Sequence, residues 1–353
     1  MTSLFDSVPF THGPAMQNRF MLAPLTNQQS HEDGTLSDAE HHWLTMRAEG
    51  GFGLTMTCAS HVQAVGKGFA GQLGIFGDQH LDGHRRLAHD IKRHHSIAIV
   101  QLHHAGNRSP KDIVGTPVCP SDDPDTGACA LTGDEVERLT EDFVAAAVRC
   151  EKAGYDGVEL HGAHGYIIAQ FLSPEVNRRT DRWGGSLTNR SRLLFDIIDG
   201  IRRSTGESFN VSVRLSPERF GLRTAEIVEV FERLVDEAQV DFIDMSLWDV
   251  TKSGVEDGFT DKKLIDVFSA IERGEVRLGV AGKLYSAADC RFALEHGADI
   301  VAIGRGAILH HDFPRLCGED ADFVARELPV SRATLRDEGL SDAFIGYMGN
   351  WKG

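Results

Sequence analysis

His161, His164 and Tyr166 place two imidazoles and a phenol within six consecutive residues, separated only by Gly162, Ala163 and Gly165. Imidazoles and phenols accept, donate and relay protons. The small residues between them add little bulk, so the three polar heads can converge. They follow Gly157-Val158-Glu159-Leu160, whose apolar Val158 and Leu160 read as a buried strand. At this level a metal site, an acid–base pair and a polar knot are all open.

Positioning these heads falls to a pattern that repeats along the chain. Apolar, β-branched runs at 19–25, 53–59, 97–102, 210–215, 241–246, 276–281 and 300–303 read as strands, with the run from Gly157 as the fourth in order. Amphipathic stretches over about 38–49, 78–94, 132–153, 188–205, 224–238, 261–272 and 286–296 read as helices, with Ser37 and Ser286 as caps. Residues 104–131 hold four prolines and read as a long loop, and 173–183 is polar and irregular. Strict strand–helix alternation implies a parallel sheet. Eight units in 353 residues fit an α/β fold of the (β/α)8 TIM-barrel type as a single domain, with an open doubly wound sheet as the alternative. The barrel spans 1–328. The tail, 329–353, offers no further strand, and its Phe344, Ile345, Tyr347 and Trp351 need burial on this barrel or on a neighbouring subunit, as in a homo-oligomer.

Composition narrows the function. Apolar residues make up 41% and charged residues 25%, an ordinary globular mixture. Lys and Arg total 36 against 52 Asp and Glu, a net charge of −16, so neither nucleic acid nor an anionic membrane surface is an expected partner. The six cysteines show no C-x-x-C, which disfavours zinc, iron–sulfur and disulfide frameworks; buried free thiols are expected instead. The N-terminus lacks the charged and apolar regions of a signal peptide, and no apolar run reaches the length of a membrane helix. The expected location is cytoplasmic.

In a (β/α)8 barrel, chemistry gathers at the C-terminal strand ends. Those ends carry Thr26, Ala59-Ser60, Gln101 to His103, the His161–Tyr166 cluster, Arg214, Ser246 with Trp248, Gly282-Lys283 and Gly304-Arg305. Glycine followed by a cation at the ends of strands seven and eight is where this fold binds phosphate, although two ordinary turns with solvated cations read the same way. No G-x-G-x-x-G follows the first strand, and no Walker loop occurs. Gln101 can pair with a heteroaromatic edge and Arg214 can stabilise a ring that becomes anionic, or each can serve a structural bond inside the barrel. Beside a phosphate site they suggest a nucleotide with a redox-active ring.

Several segments together resemble the old yellow enzyme family of FMN-dependent ene-reductases. They are Met21-Leu22-Ala23-Pro24-Leu25-Thr26, Val100-Gln101-Leu102-His103-His104-Ala105-Gly106, and His161-Gly162-Ala163-His164-Gly165-Tyr166 followed by Gln170-Phe171-Leu172-Ser173-Pro174. Asn177, the run Arg179 to Arg190, and Ala302-Ile303-Gly304-Arg305 continue the match in the family's order. The resemblance implies FMN, with NADH or NADPH as reductant and an α,β-unsaturated carbonyl compound as substrate. It implies that Ala23, Pro24, Leu25 and Ala59 line the flavin, that Thr26 bonds near O4, and that Gln101 holds the pyrimidine edge. Arg214 would stand by N1 and O2, and Gly282, Lys283, Gly304 and Arg305 would hold the phosphate. His161 and His164 would grip the substrate's carbonyl oxygen, and Tyr166 would protonate the α carbon. No metal is implied. On the same scaffold some relatives act instead as flavin-dependent dehydrogenases or demethylases on small amines. Thr26 stands where one branch has a redox-tuning Cys, and Trp183 replaces the usual Tyr of the Asp-x-Tyr-Gly-Gly motif. No Cys cluster follows the barrel, unlike the longer relatives with an iron–sulfur centre and a second flavin domain; a single-domain form is expected.

Overall fold

The structure is a computed structural model that describes residues 2–349. Eight parallel strands close into a barrel: Phe20–Leu22, Leu54–His61, Ile97–His103, Gly157–Gly162, Asn210–Leu215, Phe242–Ser246, Arg277–Ala281 and Ile300–Ile303. They run round the barrel in chain order, and the first closes on the eighth through Phe20 opposite Val301. The closed ring excludes the open sheet. Crossover helices start where their caps dictate. Ser37 accepts from the Glu40 N–H, Ser286 from that of Asp289, and Thr132 forms a full capping box with Glu135.

Several boundaries differ from the sequence expectation. The first strand stops at Leu22 rather than 25, because Pro24 has no N–H to give the ladder; only the Ala23 N–H still reaches Ile303 O, at 3.1 Å. Residues 23–26 are thereby released to line the barrel mouth. The helix expected over 261–272 is only Leu264–Ser269: an antiparallel bridge of Ser253 with Lys263 delays its start, and Arg273 takes the carbonyls of Ser269 and Ile271 beyond its end. A short helix, Ile167–Leu172, directly follows the proton-handling cluster. Of the six free cysteines, Cys129 is exposed rather than buried.

The barrel interior is divided. Met21, Leu54, Met56, Ile97, Ile99, Phe242, Ile300 and Ala302 pack as one apolar cluster. Glu159, Ser212 and Asp244, from strands four, five and six, are also fully buried. The polar sector thus lies beneath the strand ends that carry His161, Arg214 and Ser246.

The tail packs on this same barrel. Helices Arg332–Asp337 and Asp342–Met348 bury Leu335, Phe344, Ile345 and Met348. The Phe344 ring meets Trp43 edge to face at 5.5 Å. Beneath Trp43, the guanidinium of buried Arg47 lies 4.3 Å from the ring centroid and donates to Ala307 O at 3.1 Å. One helix, Asp38–Glu49, therefore ties the tail to the turn after the last strand. Trp351 lies outside the described residues.

Phe344→Ala removes a fully buried ring and is expected to destabilise the fold by about 3–5 kcal/mol. Denaturant unfolding should show a lower midpoint at unchanged slope; an unaltered midpoint would contradict this packing.

Candidate active site

The C-terminal mouth of the barrel opens into a cleft of about 510 Å³, within the range that holds small molecules. Its walls include Ala23, Pro24, Leu25, Thr26, Ala59, Gln101, His161, His164, Tyr166, Arg214, Gly282, Lys283, Gly304 and Arg305. Every site residue singled out from the sequence therefore reaches one cavity, although the first and last lie 282 positions apart, between 23 and 305. His103, Phe69, Ser246, Trp248, Ala281, Leu284, Tyr285, Ala302 and Tyr347 complete the lining. Of these, His103, Ser246 and Trp248 stand at strand ends, where the strand pattern of the sequence also places them. Tyr347 arrives from the C-terminal helix, and no local pattern in the sequence points it at the cleft.

Backbone geometry brings the proton-handling groups together. After Gly162 the chain turns through left-handed positions at His164 (φ 60°) and Gly165 (φ 71°). Gly165 tolerates nothing larger, since a Cβ there would stand 2.8 Å from the Phe220 ring. The His164 N–H is held by Ser216 Oγ at 3.0 Å, and the Arg108 guanidinium bonds the His164 carbonyl. This fixes His164 in a conformation that non-glycine residues seldom adopt.

The imidazoles form a chain. His103 Nδ1 lies 3.0 Å from His161 Nδ1, His161 Nε2 lies 2.8 Å from His164 Nδ1, and His164 Nε2 lies 2.8 Å from Ser246 Oγ. His103 Nε2 is buried without a partner. An orphaned acceptor is tolerated better than an orphaned N–H, so we assign the proton of His103 to Nδ1. Each ring then donates onward, and His164 Nε2–H points at Ser246. All three pKa values fall well below the ordinary histidine value, chiefly through burial, then through neighbouring imidazoles for His103 and His161 and through Arg214 and Arg108 for His164. The chain is therefore neutral.

Tyr166 packs its ring 4.4 Å from that of His103 and 4.9 Å from that of His161. Burial raises its phenol pKa, and the Arg108 guanidinium, 5.0 Å from the ring centroid, opposes the rise. The phenol is protonated at neutral pH.

At the cleft floor Gln101 Nε2 donates to Glu159 Oε1 at 2.7 Å. Arg214 Nε stands 2.9 Å from Asp244 Oδ2, at ion-pair distance but without hydrogen-bond alignment. The Ala59 carbonyl accepts from Gln72 Nε2 at 2.7 Å and from the Cys58 thiol at 3.9 Å. Lys283, in a left-handed conformation (φ 50°), pairs with Asp249 at 3.0 Å, so its charge is shared rather than simply solvated. Among the described residues no group of His, Cys, Asp and Glu is arranged to hold a metal, and no helix is long and apolar enough to cross a membrane.

Residues 3–320 match the model of the NADH:flavin oxidoreductase / NADH oxidase family. The chain is 37% identical over 314 residues to the probable NADH-dependent flavin oxidoreductase YqiG of Bacillus subtilis, covering 86% of this chain and 84% of that one. It is 32% identical over 335 residues to an NADPH dehydrogenase of Bacillus cytotoxicus, covering 92% and 95%. Among solved structures, the old yellow enzyme homologue from Zymomonas mobilis superposes with a TM-score of 0.82 at 27% identity, covering 96% of this chain and 99% of that one. Some relatives are longer: the chain spans 40%, 49% and 35% of three of them.

Seven buried imidazoles, His61, His80, His84, His103, His104, His161 and His310, and the partly buried His164 have lowered pKa values. The unfolded chain therefore binds more protons below about pH 6.5, and stability present above that pH is lost as the pH falls. Each imidazole contributes a slope of at most about 1.4 kcal/mol per pH unit. Denaturant unfolding between pH 7 and 5 should show this decline; level stability across that range would contradict neutral buried histidines.

Proposed function

The chain belongs to the NADH:flavin oxidoreductase / NADH oxidase family, and on that basis we propose that its cleft reduces the C=C bond of α,β-unsaturated carbonyl compounds. The protein is an NAD(P)H-dependent flavin oxidoreductase of the old yellow enzyme type, with FMN as its cofactor. The observation that carries the finer reading is the convergence of His161, His164 and Tyr166 on the cavity that Gln101 and Arg214 floor.

The cleft fits FMN by its own chemistry. Ala23, Leu25, Ala59, Ala281 and Ala302 offer apolar surface to a flat ring. Gln101 and Arg214 offer an amide and a buried guanidinium, whose Nε has no aligned partner, to the ring's polar edge. Pro24 and Thr26 border that ring, and the turns Gly282-Lys283 and Gly304-Arg305 would hold the phosphate. When bound, FMN supplies hydride exchange between NADH or NADPH and the substrate.

The protein's part is to bind the carbonyl and manage one proton. A carbonyl oxygen entering here accepts the His161 Nε2–H that now goes to His164 Nδ1, and His164 donates to the same oxygen once its proton moves from Nε2, where Ser246 holds it, to Nδ1. Neutral rings donate without the desolvation cost of buried cations. Held at fixed positions, their N–H groups favour the negative charge that grows on this oxygen as the β carbon is reduced. Tyr166, protonated, gives its proton to the α carbon as general acid. Arg108 beside the ring steadies the tyrosinate until solvent restores the proton. A small amine substrate is less well served: among the described residues no Asp or Glu lines the cleft to meet an ammonium group.

Tyr166→Phe should slow reoxidation by an enone such as cyclohexenone by about 10²-fold or more, while reduction by NAD(P)H stays nearly unchanged. Stopped-flow measurement of the two half-reactions separates them, and an unslowed oxidative half-reaction would remove Tyr166 as proton donor.

A further inference from the structure

Beneath the cleft floor Glu159, Arg214 and Asp244 meet inside the barrel, on three successive strands. Glu159 and Asp244 are wholly buried and Arg214 nearly so. Their contacts are unequal. Asp244 Oδ2 stands 2.9 Å from Arg214 Nε. Glu159 instead accepts an N–H from Gln101 at 2.7 Å, and its other oxygen has no partner. One guanidinium cannot neutralise two carboxylates. With both ionised, an uncompensated charge would sit where no water reaches, and a carboxyl in that position takes up a proton instead. Asp244 stands beside the cation, so the proton belongs on Glu159. Burial, and then the Asp244 charge, push the Glu159 carboxyl up to about 8. Burial also raises Asp244, against the pull of Arg214.

We propose that Glu159 is a positioning residue acting as a neutral acid: it fixes the Gln101 amide for the flavin edge and leaves Arg214 opposed by Asp244 alone. The inference rests on the FMN site proposed above. A primary amide has two N–H donors and one carbonyl. With one N–H held by Glu159, the carbonyl and the second N–H remain as a complementary pair for a pyrimidine edge. The sealed groups then sum to zero charge. Loss of the Glu159 proton would set net negative charge under a ring that must itself accept electrons, and the electron-rich form would be held less well.

Few other groups bear on Glu159. The ionisable ones facing it are Arg214 from the fifth strand and Asp244 from the sixth. One step up the third and fourth strands lie His103 and His161, both kept neutral. Gly279, paired with Asp244, brings no side chain, and Ser212, paired with Glu159, is buried and polar but not ionisable.

Infrared spectra of the flavin-free protein, titrated with base, report the proton directly. The wild type should show a protonated-carboxyl stretch at pH 7 that disappears as the pH passes about 8, and Glu159→Gln should lack it. The midpoint potential of the FMN-loaded wild type should bend downward with pH above the same point. Glu159→Gln, which keeps an acceptor for Gln101, should show no such bend. A carboxyl stretch that survives in Glu159→Gln, or potentials that run parallel in the two proteins, would overturn the proposal. Should the variant not fold, absence of the stretch from the wild type at pH 7 overturns it alone. Failure to bind FMN would instead sink the cofactor-site reading and leave the infrared result standing.

Discussion

A closed barrel gives a buried charge no route to water except through its mouth, and the Arg214–Asp244 pair is where this chain meets that constraint. The two side chains come from adjacent strands and stand 2.9 Å apart, facing a sector of the interior that is wholly apolar. Buried pairs of this kind contribute little net stability, because desolvation offsets most of the attraction. What the pair does is localise charge. It anchors a cation at the cleft floor and divides the interior into an apolar sector and a polar one. The polar sector lies under strands four, five and six, so the proton-handling residues at their ends share one side of the mouth.

The cation also acts upward. His161 and His164 feel Arg214 in addition to their own burial, and both are held neutral. A neutral imidazole has one N–H to give and one nitrogen to accept, which is why the rings can line up from His103 to Ser246 without a clash of donors. Arg108 plays a similar part at the outer edge, where it holds the His164 carbonyl and lies over the rings of Tyr166 and Phe220. Two arginines therefore bracket the polar cluster, in a chain whose net charge is −16.

Mechanical support comes from the opposite side. The helix Asp38–Glu49 carries Trp43 and Arg47, which join the tail to the segment after the last strand. The tail helix that buries Phe344 also brings Tyr347 to the cleft wall. The boundary of the cleft is thus set partly by residues far along the chain from the barrel strands.

Periodicity by itself determined the eight strand–helix units, because burial on both faces leaves parallel strands almost wholly apolar and the alternation cannot be mistaken for a meander. It also determined which polar residues stand at strand ends, since a polar group that closes an apolar run must lie at the run's margin. Pro24, Ser37, Thr132 and Ser286 are legible for the same local reason: each acts through its own backbone. The tertiary structure decided what closure brings together. Glu159 and Asp244 look like ordinary interruptions of strands in the sequence, yet ring closure seals them around one arginine. The mutual bonding of His161 and His164, the entry of His103 into their chain and the arrival of Tyr347 depend on distances between strands and loops remote in sequence. Such distances follow from the packing of the whole barrel, and no local run of residues encodes them.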